Sequence, residues 1–128
     1  MQHIGPHEYS FDEGILSFAP RGLVLPEHAQ QLVGLFQQHG SPNQTLHCLF
    51  DLTGAPRPTP EARRVVVEFL RRARPLLLIA THGAPLHLRA MLALVSAAAR
   101  VVGGYQLRVI HSEHREAALR VLRQSLTP

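Results

Sequence analysis

Leu49-Phe50-Asp51-Leu52-Thr53-Gly54, followed after a proline-rich loop by Thr59-Pro60-Glu61-Ala62-Arg63-Arg64, places the rest of the chain. An apolar run ends on an acid and a hydroxyl, as a buried strand ends. Thr59 then supplies a hydroxyl where a helix needs its N-terminal cap, and Pro60 suits the first helical turn. A strand feeding a helix in this way predicts an alternating α/β chain. In such chains ligands and partners dock at the carboxyl ends of the strands.

Outward from there, Thr45 to Leu52 is apolar on both alternations, which predicts a central strand covered on both faces. Pro75 to Thr81 is a second wholly apolar run bounded by breakers. Upstream, Glu8–Asp12 and Ile15–Ala19 flank the turn signal Glu13-Gly14, which predicts a hairpin. Pro26 opens a first helix on Ala29, Leu32, Val33 and Phe36. The second helix, from Thr59, buries Ala62, Val65, Val66, Phe69, Leu70 and Ala73. A third helix runs from Leu86 to Val102 and is stopped by Gly103-Gly104. Gln106 to His111 reads as a strand, and Ser112 as the cap of a fourth helix striped by Leu119, Leu122 and Leu126.

The predicted order is β-β-α-β-α-β-α-β-α: a mostly parallel central sheet of about five strands with an antiparallel N-terminal hairpin strand, and four helices. Residues 1–7 read as a flexible leader and 8–128 as a single domain.

Composition narrows the function classes. At 45% hydrophobic and 17% charged, the chain is an ordinary globule. All 13 basic residues are arginine, and the net charge is +4. With two Tyr, five Phe and no Trp, stacking platforms for nucleic acid are scarce, so no nucleic-acid partner is expected. The longest apolar stretch, Leu86 to Val102, is broken by His87, Arg89, Ser96 and Arg100, so no membrane insertion is expected. The start of the chain lacks the pattern of a signal peptide, and the lone Cys48 fits a reducing cytoplasm.

Asp51-Leu52-Thr53-Gly54 after the third strand, then Pro60-Glu61-Ala62-Arg63-Arg64, resembles the STAS domain, the SpoIIAA-like anti-sigma-factor-antagonist fold, in its small stand-alone bacterial form. Gly83-Ala84-Pro85, Arg89, Leu92, Leu94-Val95, Ala99-Arg100 and Gly103-Gly104 extend the likeness over roughly residues 8–126. The resemblance implies a regulatory protein-interaction module without catalysis. One departure stands out. Phosphorylation-switched antagonists carry Asp-Ser-Ser/Thr-Gly at the start of the second helix, where this chain has Pro58-Thr59-Pro60-Glu61.

The strand ends gather Asp51, Thr53, Thr81, His82, His111, Glu113 and His114. No nucleophile elbow or phosphate-cradling glycine loop accompanies them, and Cys48 sits in mid-strand, so no catalytic residue is expected. The nine histidines lack metal-ligand spacing; they read as surface residues, with no metal and no cofactor. Asp51 is expected to accept hydrogen bonds from the amides of Thr53 and Gly54.

The expected partner-binding residues are Asp51, Thr53, Thr59, Glu61, Arg63 and Arg64. Thr59 is also the candidate phosphosite, beside Arg57, Arg63 and Arg64. The third helix is apolar around most of its circumference. Its surplus points either to deep burial or to a ligand or dimer surface on Leu88, Met91, Leu92 and Val95. The leading expectation is docking of a protein partner or a second copy of the chain. The alternative is a carrier or sensor of a small apolar, lipid-like ligand.

Overall fold

The computed structural model describes residues 1–99 and 107–127. The described elements are β1 (Gln2–Ile4), β2 (His7–Asp12), β3 (Ile15–Ala19), α1 (Pro26–His39), β4 (Leu46–Asp51), α2 (Pro60–Ala73), β5 (Leu77–His82), α3 (Leu86–Ala99), β6 (Leu107–Ser112) and α4 (Arg115–Leu126). The strands form one sheet in chain order, β1 through β6. The first two pairings are antiparallel and the last three parallel. The expected Gly103-Gly104 stop, the third-helix residues Arg100 to Val102 and the Gln106 strand start lie outside the described residues.

This order follows from the crossovers. β3-α1-β4, β4-α2-β5 and β5-α3-β6 each step one strand in the same direction. Right-handed connections that all step one way deposit their helices on one face. The larger core cluster accordingly joins Leu32 and Phe36 of α1, Phe69 and Leu70 of α2, and Leu88 and Met91 of α3 to Leu16, Cys48, Phe50, Leu77 and Ile79 of the strands. α4 covers the opposite face. There Ala118 and Leu122 pack on Ile15, Leu49, Leu78 and Ala80.

The strands meet the expectations drawn from alternation. Leu46 to Phe50 are all buried, and so are all six residues of β5. At the hairpin, Asp12 pairs with Ile15 across Glu13 and Gly14, whose φ angles are 53° and 80°. Two positive φ values give the turn whose twist matches a hairpin, and glycine makes the second inexpensive.

Four expectations are corrected. Residues 1–7 are not a free leader among the described residues: Gln2–Ile4 pairs with β2, and Ile4 and His7 are buried. The sheet therefore has six strands, not five. Ser112 does not cap α4; it ends β6, opposite His82, and His114 takes the cap position without a side-chain bond.

The histidines, fourth, are not all at the surface. His7, His47 and His82 are 0%, 6% and 8% exposed. The Arg21 amide donates to Nδ1 of His7 at 3.1 Å, so the His7 proton sits on Nε2, which donates to Nδ1 of His28 at 3.1 Å. His47 donates from Nδ1 to the Thr45 carbonyl at 3.1 Å, and its Nε2 is hydrogen-bonded to the Ser125 hydroxyl at 2.9 Å. The His7 geometry needs a neutral ring, because its Nδ1 accepts a backbone N–H.

These rings set an acid limit on stability. Burial lowers the pKa of His7, with His28 adding to it, and burial likewise lowers His47 and His111, below the ordinary 6.5. A histidine whose folded pKa is depressed takes up its proton more readily in the unfolded chain. Its stabilising effect is complete above pH 6.5 and is lost as pH falls below that value. The urea midpoint is expected to be flat above pH 7 and to fall between pH 6.5 and 5, before carboxylates titrate. A midpoint that is constant down to pH 5 would show that these rings are not held neutral.

Candidate functional site

At the carboxyl end of β4, Asp51 stands in register with His82 of β5, which in turn faces Ser112 of β6. Alternation turns Asp51 and His82 toward the α4 face, together with Leu49 and Ala80. The Thr53 amide donates to Oδ1 of Asp51 at 3.1 Å, one of the two amide bonds expected for this acid. Arg21 Nη1 lies 3.5 Å from Oδ2, and His82 Nδ1 lies 3.7 Å from Oδ1. Arg21 Nε also lies 3.6 Å from Glu8 Oε1. Burial pushes the Asp51 carboxyl up, but the Thr53 amide and hydroxyl, with His82 and Arg21, outweigh it and hold it below the ordinary 3.8. Nε2 of His82 is buried without a hydrogen-bond partner among the described residues.

Beside this cluster lies a shallow depression of about 100 Å³ lined in part by Glu8, Ser10, Ser17, Arg21, Asp51 and Arg115. Its two acids and two arginines offset each other. It suits a polar, near-neutral contact better than a strongly charged ligand.

The second half of the expected site lies at the start of α2. Thr59 accepts the Ala62 amide on its hydroxyl at 3.1 Å, and its own amide donates to the Val24 carbonyl at 3.1 Å. Glu61 and Arg64 are exposed, whereas Thr59 and Arg63 are half-buried. No hydrogen bond or ion pair among the described residues joins this helix start to Asp51. The expected six-residue site thus divides. Asp51 and Thr53 form a corner with His82, Arg21 and Glu8. Thr59, Glu61, Arg63 and Arg64 form the exposed opening of a helix.

Arg21 and Glu8 were missed in the sequence because Pro20-Arg21-Gly22 reads only as a strand breaker. The signal lies in the pairing of β3 with β4, which brings the residue after β3 beside the end of β4.

Of the third-helix residues, Leu88 and Met91 are buried and Leu92 and Val95 half-buried. A buried residue cannot present a surface to a second copy, so the dimer-surface expectation is corrected for Leu88 and Met91. The exposed face of α3 instead carries Leu86 at 82% and Leu94 at 71%. Leu88, Met91, Leu92 and Val95 all line an apolar cavity between the helix layer and the sheet.

The chemistry available is limited. Burial pushes the Cys48 thiol far up. The Thr81 hydroxyl is buried against His111 Nδ1 at 2.6 Å. Ser125 and His47 form a hydroxyl–imidazole pair, but at the carboxyl end of α4, where the helix dipole opposes a developing oxyanion. That bond anchors the helix to the sheet.

No protein-family description matches the chain, and no curated protein does. Among solved structures it is similar to one from Thermotoga maritima described as a "putative anti-sigma factor antagonist". The identity is 12%, the TM-score is 0.55, and the match covers 91% of this chain and 93% of the other. The chain therefore has the STAS-type fold of the anti-sigma factor antagonists. No helix among the described residues is long and apolar enough to cross a membrane.

Proposed function

We propose that this chain is a regulatory protein-interaction module of the STAS type, acting in the cytoplasm without catalysis of its own. The observation that carries this reading is the fold shared over nearly its whole length with a protein named as an anti-sigma factor antagonist. The docking surface is the exposed opening of α2, flanked by the Asp51–Thr53 corner. Glu61 and Arg64 are exposed there, free to meet a protein partner or a second copy. Thr59 serves first as the cap of α2. A phosphoryl group on it would lie at a helix N-terminus beside Arg63, where negative charge is favoured.

The test is a charge reversal that spares the fold. Protein bearing Glu61→Arg and Arg64→Glu is compared with wild type in quantitative pull-downs from the native host. A partner held by wild type is expected to be depleted at least about tenfold, because like charges then face each other across the contact. Identical partner profiles would sink the helix opening as the docking surface. The α3 cavity favours a second reading, in which the chain holds a small apolar ligand.

A further inference from the structure

His7 is fully buried, yet both of its ring nitrogens are bonded. The ring lies beside Phe18 of β3 and edge-on to His28 of α1, with centroids 5.9 and 4.7 Å away. Its Nδ1 accepts the Arg21 amide, and the Leu25 amide donates to His28 Nδ1 at 3.1 Å. His28 Nδ1 therefore carries no proton, which fixes His7 Nε2 as the donor between the rings. His28 also seats against the β1–β2 turn: a Cβ added at Gly5 would lie 2.5 Å from its Nε2. Two neutral imidazoles thus satisfy two loop amides and tie β2 to the start of α1.

The same link reaches the Asp51 corner. Arg21 belongs to no helix or strand, so the bond to His7, and not a ladder, places its backbone. From there its guanidinium reaches Glu8 at 3.6 Å and Asp51 at 3.5 Å.

A further proton has one place to go. Nε2 of His7 is already protonated, so uptake falls on Nδ1, where the new N–H would face the Arg21 N–H, donor against donor. That bond is then lost, and a buried donor needs another acceptor. A hydrogen bond to the Leu23 backbone favours the charged ring. Other ionisable groups stand apart. His3 and Glu8 alternate to the other face of β1 and β2, and Glu27 of α1 is exposed. β3 offers none. Burial, and then His28, lower the His7 pKa below 6.5, so the ring is neutral at pH 7 and is charged only as pH falls below 6.5.

We propose that His7 is a proton-operated latch on Arg21. Neutral, it holds the Arg21 amide and so presents the guanidinium to Asp51. Protonated, it drops that amide, donates to the Leu23 carbonyl and lets Arg21 leave the corner. The latch stands whether or not the corner docks a partner.

The test is nuclear magnetic resonance of the full chain labelled with nitrogen-15, from about pH 7.5 to about pH 5, the range in which histidines titrate. At the upper end His7 is expected as the Nε2–H tautomer, with Overhauser contacts between the side chains of Arg21 and Asp51. On acidification the Arg21 and Leu25 amides are expected to shift with one midpoint below 6.5, and those contacts to vanish, while circular dichroism stays native. His7→Asn keeps an acceptor near Nδ1 but takes up no proton, and is expected to abolish the Arg21 titration. If it does not fold, His28→Gln serves: it removes the ring that lowers His7, and the Arg21 midpoint is expected to rise toward 6.5. A proton on His7 Nδ1 at the upper pH, Arg21–Asp51 contacts that persist at the lower, or an Arg21 shift that is absent or comes only with loss of fold would each overturn the latch. So would a titration that survives in folded His7→Asn, or a midpoint unmoved in His28→Gln.

Discussion

Gly83→Ala is expected to lower the stability of the fold by about 3 kcal/mol, measured by equilibrium urea denaturation. Two costs add. Gly83 has a φ of +70°, a left-handed conformation that costs a side-chain-bearing residue about 1–2 kcal/mol. A Cβ there would also collide with the Thr53 hydroxyl, and it would lie 3.1 Å from the Thr53 Cα. Forcing an added methyl into packed surroundings costs about 1–3 kcal/mol. The neighbourhood resists yielding because three strand ends meet in it. The Leu52 amide donates to the His82 carbonyl at 3.0 Å, and the Gly83 amide to the Ser112 carbonyl at 3.3 Å. Adding Thr53→Ala removes the collision but not the backbone strain, so the double variant is expected to recover about half of the loss. A single variant within about 0.5 kcal/mol of wild type would show that the corner is loose. It could not then hold Asp51 beside His82.

That corner also marks where the sequence stops being sufficient. β4 and β5 were legible because a strand covered on both faces must be apolar on both alternations. The Thr59 cap and the Asp51 turn were legible because each bond spans only three or two residues. β1 was not, because Ile4 is its one apolar residue. The buried histidines were hidden for a related reason. His28 lies 21 residues from His7, and Ser125 lies 78 from His47, so no local period encodes either pair. The surplus apolar character of α3 was visible, but not its partition. Leu86 and Leu94 face outward, whereas Met91 and Leu88 face a space that depends on how far α2 stands from the sheet.

Leu122→Ala is expected to cost about 3 kcal/mol, the usual price of truncating a fully buried leucine. The loss should not spread evenly. On the α4 face the buried cluster contains only Ile15, Leu49, Leu78, Ala80, Ala118 and Leu122, and α4 supplies just the last two. Without the Leu122 side chain, Ala118 remains, together with half-buried Leu119 and the Ser125–His47 bond at 2.9 Å. The opposite cluster, with residues from α1, α2, α3 and the strands, is untouched. α4 should therefore open while β4 and β5 stay paired, because elements with few buried contacts exchange through local rather than global unfolding. Native-state hydrogen exchange separates the cases. Amides of α4 are expected to lose protection well before those of Leu46–Phe50 and Leu77–Thr81. An equal loss in all three segments would mean that the two layers melt as one unit. The sheet would then depend on α4 for its integrity, rather than merely carry it as a cover over the Asp51–His82 corner.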